Sequence, residues 1–294
     1  MLPDLLSVVA KALGFVCALQ SGGIALFGAL FEVEASAVRD DIRRFGRRLA
    51  VVATLVVLLH YGLEPARMAG GLSGIWDPSL QKLAATSGVA WAAVLRIIGL
   101  AFVVAALSGV RGVGGAAPYS VPLRAAGWLG ALLVAASFTA TGHTTAPAHR
   151  WALAGLLLTH LLVIEFWLGA LLPLILITRH APSSAARTIR RFSSLATLLV
   201  PLILVAGIGM VWLLIPSLQV FREPYGQLLL TKVAGFAALL GLASLNKWKL
   251  VPALEAGDSA AARTLQRSAA GEYLLIVIVL AVTAVMTSFF SPEP

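Results

Sequence analysis

The chain has 294 residues, of which 59% are hydrophobic and 12% charged, with a mean hydropathy of +0.92 and a net charge of +9. Soluble domains carry roughly 25% charged residues, so this composition excludes an ordinary water-soluble domain. No basic stripe with interleaved aromatics points to nucleic acid, and the lone cysteine, Cys17, leaves neither an internal disulfide nor a CxxC metal motif.

A bilayer core takes ~20 mainly apolar residues in helical form. Such runs lie near 5–31, 47–66, 88–109, 122–141, 151–177, 192–216, 225–246 and 270–290. They predict an all-α, polytopic membrane protein: a bundle of about eight transmembrane helices forming a single domain over 1–294. The first run lacks a positive n-region and exceeds signal-peptide length, which predicts a retained helix. Connectors carry breakers such as Glu64-Pro65, Ala146-Pro147 and Glu223-Pro224, and the stretch 70–87 is expected to hold a short interfacial helix with Trp76 at the headgroups. No internal repeat is evident.

Fifteen lysines and arginines fall in the connectors after the first, third, fifth and seventh spans, against four (Arg67, Lys82, Arg150, Arg222) on the other side. The positive-inside rule then puts both termini outside, in the periplasm of a bacterial inner membrane, with the basic loops against anionic lipid of the bilayer.

Ionisable groups at membrane depth cost about 2.5–3.5 kcal/mol on insertion scales and are functional candidates by default. Here they are Lys11, Arg96, His160, Glu165, Lys232 and Glu272, with His60 near the end of the second span. Pairing among Lys11, Lys232, Glu165 and Glu272 as structural pins is the plain alternative, and Arg96 is near enough to the outer end to snorkel. His60, His143, His149 and His160 all fall toward the outer side. His60 and Glu64 are four residues apart and share a face if the helix persists, with Met68 one turn further. Gly142 lets the chain turn and leaves His143 at the membrane edge. Neutral imidazole suits copper, zinc, nickel and iron, and a Met thioether favours Cu(I). Hence His60, His143, His160, His149, Met68 and Glu64 are candidate metal ligands, although no local spacing such as HExxH joins them and each histidine has the alternative of bonding a neighbouring helix. His180 reads as basic surface, Cys17, Met210 and Met286 as packing, and Gly22, Gly23, Gly28, Gly207 and Gly209 as sites of close helix contact.

Several blocks resemble the CopD family of copper-resistance and copper-uptake membrane proteins. They are VAKALGFVCALQSGGIALFGALF with Lys11, ASFTATGH (136–143), THLLVIEFWLGALLPL (159–174), RFSSLATLLVPLILVAGIG (191–209), YGQLLLTKVAGFAALLGLASLNKWKLVPAL (225–254) and LQRSAAGEYLLIVIVLAVTAVMTS with Glu272. The likeness spans the chain, and most of its motifs fall in roughly 150–294. It implies copper handling at the periplasmic face, His143 and His160 as ligands, and an intramembrane polar network of Lys11, Lys232, Asn246 and Glu272. A small CopC-like periplasmic copper-binding protein is the implied partner. Two departures stand out: Gly14 where many relatives have a first-helix histidine, and Glu165 where a small or apolar residue is expected.

The leading reading is therefore transport of copper ions from periplasm toward cytoplasm, with Glu165 and Glu272 able to relay a cation or proton. A second reading is a transmembrane electron-transfer protein holding haem b between two histidines, His160 with His60 or His143. A third is an accessory or scaffold without transport. No nucleophile–base pair stands out, so an enzyme is not expected.

Overall fold

The structure, a computed structural model, describes residues 2–108, 111–112, 115–116, 120–142, 149–180, 182–215 and 217–290. Among them, eight helical stretches are long and apolar enough to cross a membrane. The helices are α1 (Leu2–Leu30), α2 (Arg39–Gly62), α3 (Glu64–Ala69), α4 (Pro78–Ala85), α5 (Gly88–Leu107), α6 (Val121–Ser137), α7 (Arg150–His180), α8 (Pro182–Leu214), α9 (Pro224–Leu245), α10 (Val251–Glu255) and α11 (Ser259–Phe289). The apolar runs underestimate several of these lengths. Helix α2 begins at Arg39 and α8 at Pro182, because each helix continues into a charged stretch, residues 39–48 in α2 and 187–191 in α8, that the apolar runs leave out.

Helix α1 is the centre of the first half, packing against α2, α5, α6, α7 and α11. Its crossing with α7 brings two backbones together. A Cβ on Gly23 would lie 1.9 Å from the Glu165 carbonyl oxygen and 2.7 Å from the Gly169 Cα, so only hydrogen fits on either side. By contrast Gly207 has open space around its Cα and Gly209 meets only a Leu156 side chain, so neither holds two backbones together. Helix α7 is the most buried of the spans, and α8 and α9 the least. Helix α8 packs chiefly on α7, and α9 on α11.

Pairs of charges fasten one end of the bundle. There Glu32 meets Arg39 and Arg124 and Glu34 meets Arg191, tying the turn after α1 to α2, α6 and α8, and Glu255 meets Arg190, tying α10 to α8. At the other end, Arg67 bridges Asp4 at 3.8 Å and Glu64 at 2.9 Å. The exposed indoles of Trp76, Trp151 and Trp212 ring that second end, and Trp248 marks the first. Aromatic girdles of this kind sit at membrane–water interfaces.

The connector between α2 and α5 forms the expected short helix, α4, with Trp76 exposed in the turn just before it. Asp77 caps it, accepting from the Ser79 amide at 2.8 Å and the Leu80 amide at 3.3 Å. The Ser79 hydroxyl, 2.6 Å away, contributes most to holding this exposed carboxyl below its usual range, followed by those two amides.

Candidate functional site

The polar groups within the spans divide into three separate settings. The first lies near the Asp4–Arg67–Glu64 end. The Lys11 ammonium donates to the Thr287 carbonyl at 3.1 Å and the Ser288 hydroxyl at 3.2 Å. It thereby closes the last turn of α11, where backbone carbonyls lack partners and a cation is favoured. Arg96 turns into the bundle instead of snorkelling. Its Nε donates to the Ser137 hydroxyl at 2.9 Å, and its guanidinium lies over the Phe138 ring at 3.8 Å. His60 stands within electrostatic reach of Lys11, Arg67 and Arg96, and its Nε2 is buried without a hydrogen-bond partner among the described residues. The helix does not persist unbroken beyond it: Leu63 separates α2 from α3, and Glu64 turns to Arg67. Met68 is 39% exposed, and His149 is exposed just before α7.

The second setting lies on α7. His160 Nδ1 stands 3.4 Å from the Ile203 carbonyl of α8. That carbonyl follows Pro201, a proline inside α8. Lys232 of α9 is the charged group within reach of His160. Trp167 is seven residues further along, about two turns and ~10 Å on the same face of α7. Its indole N–H donates to Glu272 Oε2 at 2.8 Å, and the Asn246 amide donates to Oε1 at 2.6 Å. Asn246 opens a π-helical turn, Asn246–Leu250, between α9 and α10. The local widening of such a turn is often found at functional positions. Each oxygen of the buried Glu272 carboxyl thus accepts one bond, which offsets much of the cost of holding it there.

The third setting is Glu165. Its side chain is fully buried, both oxygens lack a hydrogen-bond partner among the described residues, and it points at Gly22 of α1, where an added Cβ would come 3.0 Å from Oε1. It therefore faces away from the His160–Trp167 side of α7. Gln20, also fully buried and with neither side-chain polar atom bonded among the described residues, was not among the candidates drawn from the sequence. A mid-span amide was the available signal.

Among the sequence-derived candidates, Asn246 and Glu272 are joined directly. Lys11 and Lys232 have other neighbours, and none of the four intramembrane charges Lys11, Glu165, Lys232 and Glu272 is ion-paired with another. No group of three or more His, Cys, Asp or Glu among the described residues could hold a metal ion. His60 on α2 has Lys11, Arg67 and Arg96 within electrostatic reach, whereas His160 on α7 has Lys232 and the Ile203 carbonyl. His143 lies outside the described residues. His180 is exposed, and Cys17 and Met286 pack in the interior.

Below the Trp167–Glu272–Asn246 group, toward the basic end, a cavity of about 330 Å³ lies between α8 and α9 in front of α7 and α11. Leu171, Leu174, Val200, Leu240 and Leu265 line it, and Lys247 stands at its rim with its ammonium 2.7 Å from the Thr197 hydroxyl.

Residues 186–286 match the family described as CopD, copper resistance protein D. That stretch contains Lys232, Asn246, Glu272 and much of the cavity wall. The chain is also 27% identical over 321 aligned residues to a copper resistance protein D of Pseudomonas syringae pv. tomato, covering 99% of this chain and 98% of that protein. No solved structure matches the chain. The molecule is a multi-pass membrane protein with eight candidate spans among its described residues, similar over residues 186–286 to the CopD family and over its whole length to a copper resistance protein D.

Proposed function

We propose that this chain handles copper in a bacterial inner membrane and moves copper ions from the periplasm toward the cytoplasm. The observation that carries this reading is the end-to-end similarity to a copper resistance protein D. Two side chains on the α7 side of the bundle support it. His160 offers an imidazole in the outer half, and Glu272 offers a carboxyl two turns deeper, beside Trp167. Imidazole ligates copper well, and a carboxylate supplies the negative charge that hydrocarbon lacks.

Lys232 beside His160 raises the energy of a cation there, so copper held at that level is bound weakly enough to leave. Transit requires binding that permits both entry and departure. Met68 and His149, both exposed on the outer side, are the first contacts for an arriving ion or for a CopC-like carrier. His60 and His143 complete the outer ligand set in this reading. Both termini lie in the periplasm by the distribution of basic residues.

The test is cellular copper content with membrane insertion checked for every variant. His160→Ala and Glu272→Gln are each expected to reduce copper accumulation to that of cells lacking the protein. Undiminished accumulation in a fully inserted His160→Ala variant overturns the assignment.

A further inference from the structure

We infer that the cavity between α8 and α9 is a binding site for one anionic phospholipid, with an acyl chain in the cavity and the phosphate at the Lys247 rim. This does not rest on the copper reading, although Glu272, which that reading uses, closes the deep end of the cavity.

The argument begins with what fills such a volume. About 330 Å³ between spans that face the bilayer, walled by Leu171, Leu174, Val200, Leu240 and Leu265, offers little to water. Apolar cavities of this kind stay dry and take apolar guests. At its deep end both Glu272 oxygens and the Asn246 amide N–H are engaged with one another or with Trp167, while Asn246 Oδ1 is buried without a partner among the described residues. One acceptor alone does not hold a water, which takes about two to four polar partners. Helices α8 and α9 pack chiefly on other partners, so the cavity adjoins the hydrocarbon, where acyl chains are the abundant guest.

The rim adds the charge preference. Lys247 donates to the Thr197 hydroxyl and pairs with no carboxylate among the described residues. Lys249 is exposed two residues on, in the same π-helical turn, next to Trp248, which is 69% exposed. A lysine pair flanking an exposed indole at the basic end suits a phosphodiester at headgroup depth. The chain-sized cavity and the Lys247 ammonium at its rim, with Lys249 adding positive charge nearby at the same depth, together select an anionic lipid over a neutral one. Each lysine at such a surface contributes about fivefold in affinity.

The test is native mass spectrometry of the purified full chain after reconstitution in vesicles of phosphatidylglycerol and phosphatidylcholine. One phosphatidylglycerol is expected to remain per chain in the wild type. The double variant Lys247→Gln, Lys249→Gln is expected to lose retention by at least about tenfold. Ala243→Phe, which fills the cavity from α9, is expected to exclude the lipid with both lysines intact. Excess inorganic phosphate is expected to leave the lipid in place, since it reproduces the headgroup and not the chain. Equal retention of the neutral lipid, unchanged retention in both variants, or displacement by phosphate overturns the proposal.

Discussion

At the scale of single residues, Glu165 and Glu272 show how much surroundings decide the cost of the same carboxyl. Glu272 has an indole and an amide donating to its two oxygens, whereas Glu165 has glycine and no donor among the described residues. A buried polar group left without a partner costs about 1–3 kcal/mol. Glu165→Met, close to it in volume and lacking the carboxyl, is therefore expected to raise the thermal unfolding midpoint in detergent. Trp167→Phe is expected to lower that midpoint, because it strips one donor from a buried carboxyl and costs a similar amount. Light-scattering or tryptophan-independent melting curves check both. An unchanged midpoint in Trp167→Phe would mean that the indole bond contributes nothing net. Both carboxyls could be found from sequence as charges inside apolar runs. Their opposite environments could not, since the donors to Glu272 come from residues 105 and 26 positions away.

At the scale of elements, the contact between α1 and α7 carries the strictest steric requirement. With Gly23 against the Glu165 carbonyl and the Gly169 Cα, a methyl group has no space unless two backbones part. Gly23→Ala is expected to destabilise the bundle by about 3 kcal/mol or more, at or beyond the upper end of ordinary overpacking. Gly207→Ala on α8, where nothing lies near the Cα, is expected to be harmless, and yields of folded protein on size exclusion compare the two. The glycines were visible in the sequence as candidates for close contact, but only the crossing shows which of them meets a backbone. Helix α4 allows a pH prediction outside the membrane. Its Asp77 carboxyl is held below the usual range by Ser79 and the following amides. Because the folded pKa is depressed, the cap is at full strength above the unfolded value and is lost as pH falls through the folded one. Amide exchange over 78–85 is expected to quicken at acidic pH in the wild type, and to be fast and far less pH-sensitive, after correction for intrinsic exchange, in Asp77→Ala.

At the scale of the whole molecule, fifteen basic residues against four across the connectors make orientation testable. In a Cys17→Ala background, a cysteine replacing Trp76 is expected to react with an impermeant maleimide in intact cells, and one replacing His180 only after lysis. The reverse pattern would invert the topology and with it the direction of copper movement. The sequence by itself determined the eight spans, the short helix after α2 and the charged positions worth inspecting, because a bilayer demands long apolar helices and penalises every exception locally. Only the tertiary structure decided that Lys11 closes the end of α11, that Arg96 lies over Phe138, that Asn246 and Trp167 serve Glu272, and that Glu165 faces a different side of α7 from His160. Helix–helix registry in a membrane arises from packing of small groups and scattered hydrogen bonds between segments distant in the chain, and no periodicity along one helix encodes which neighbour its polar face will meet.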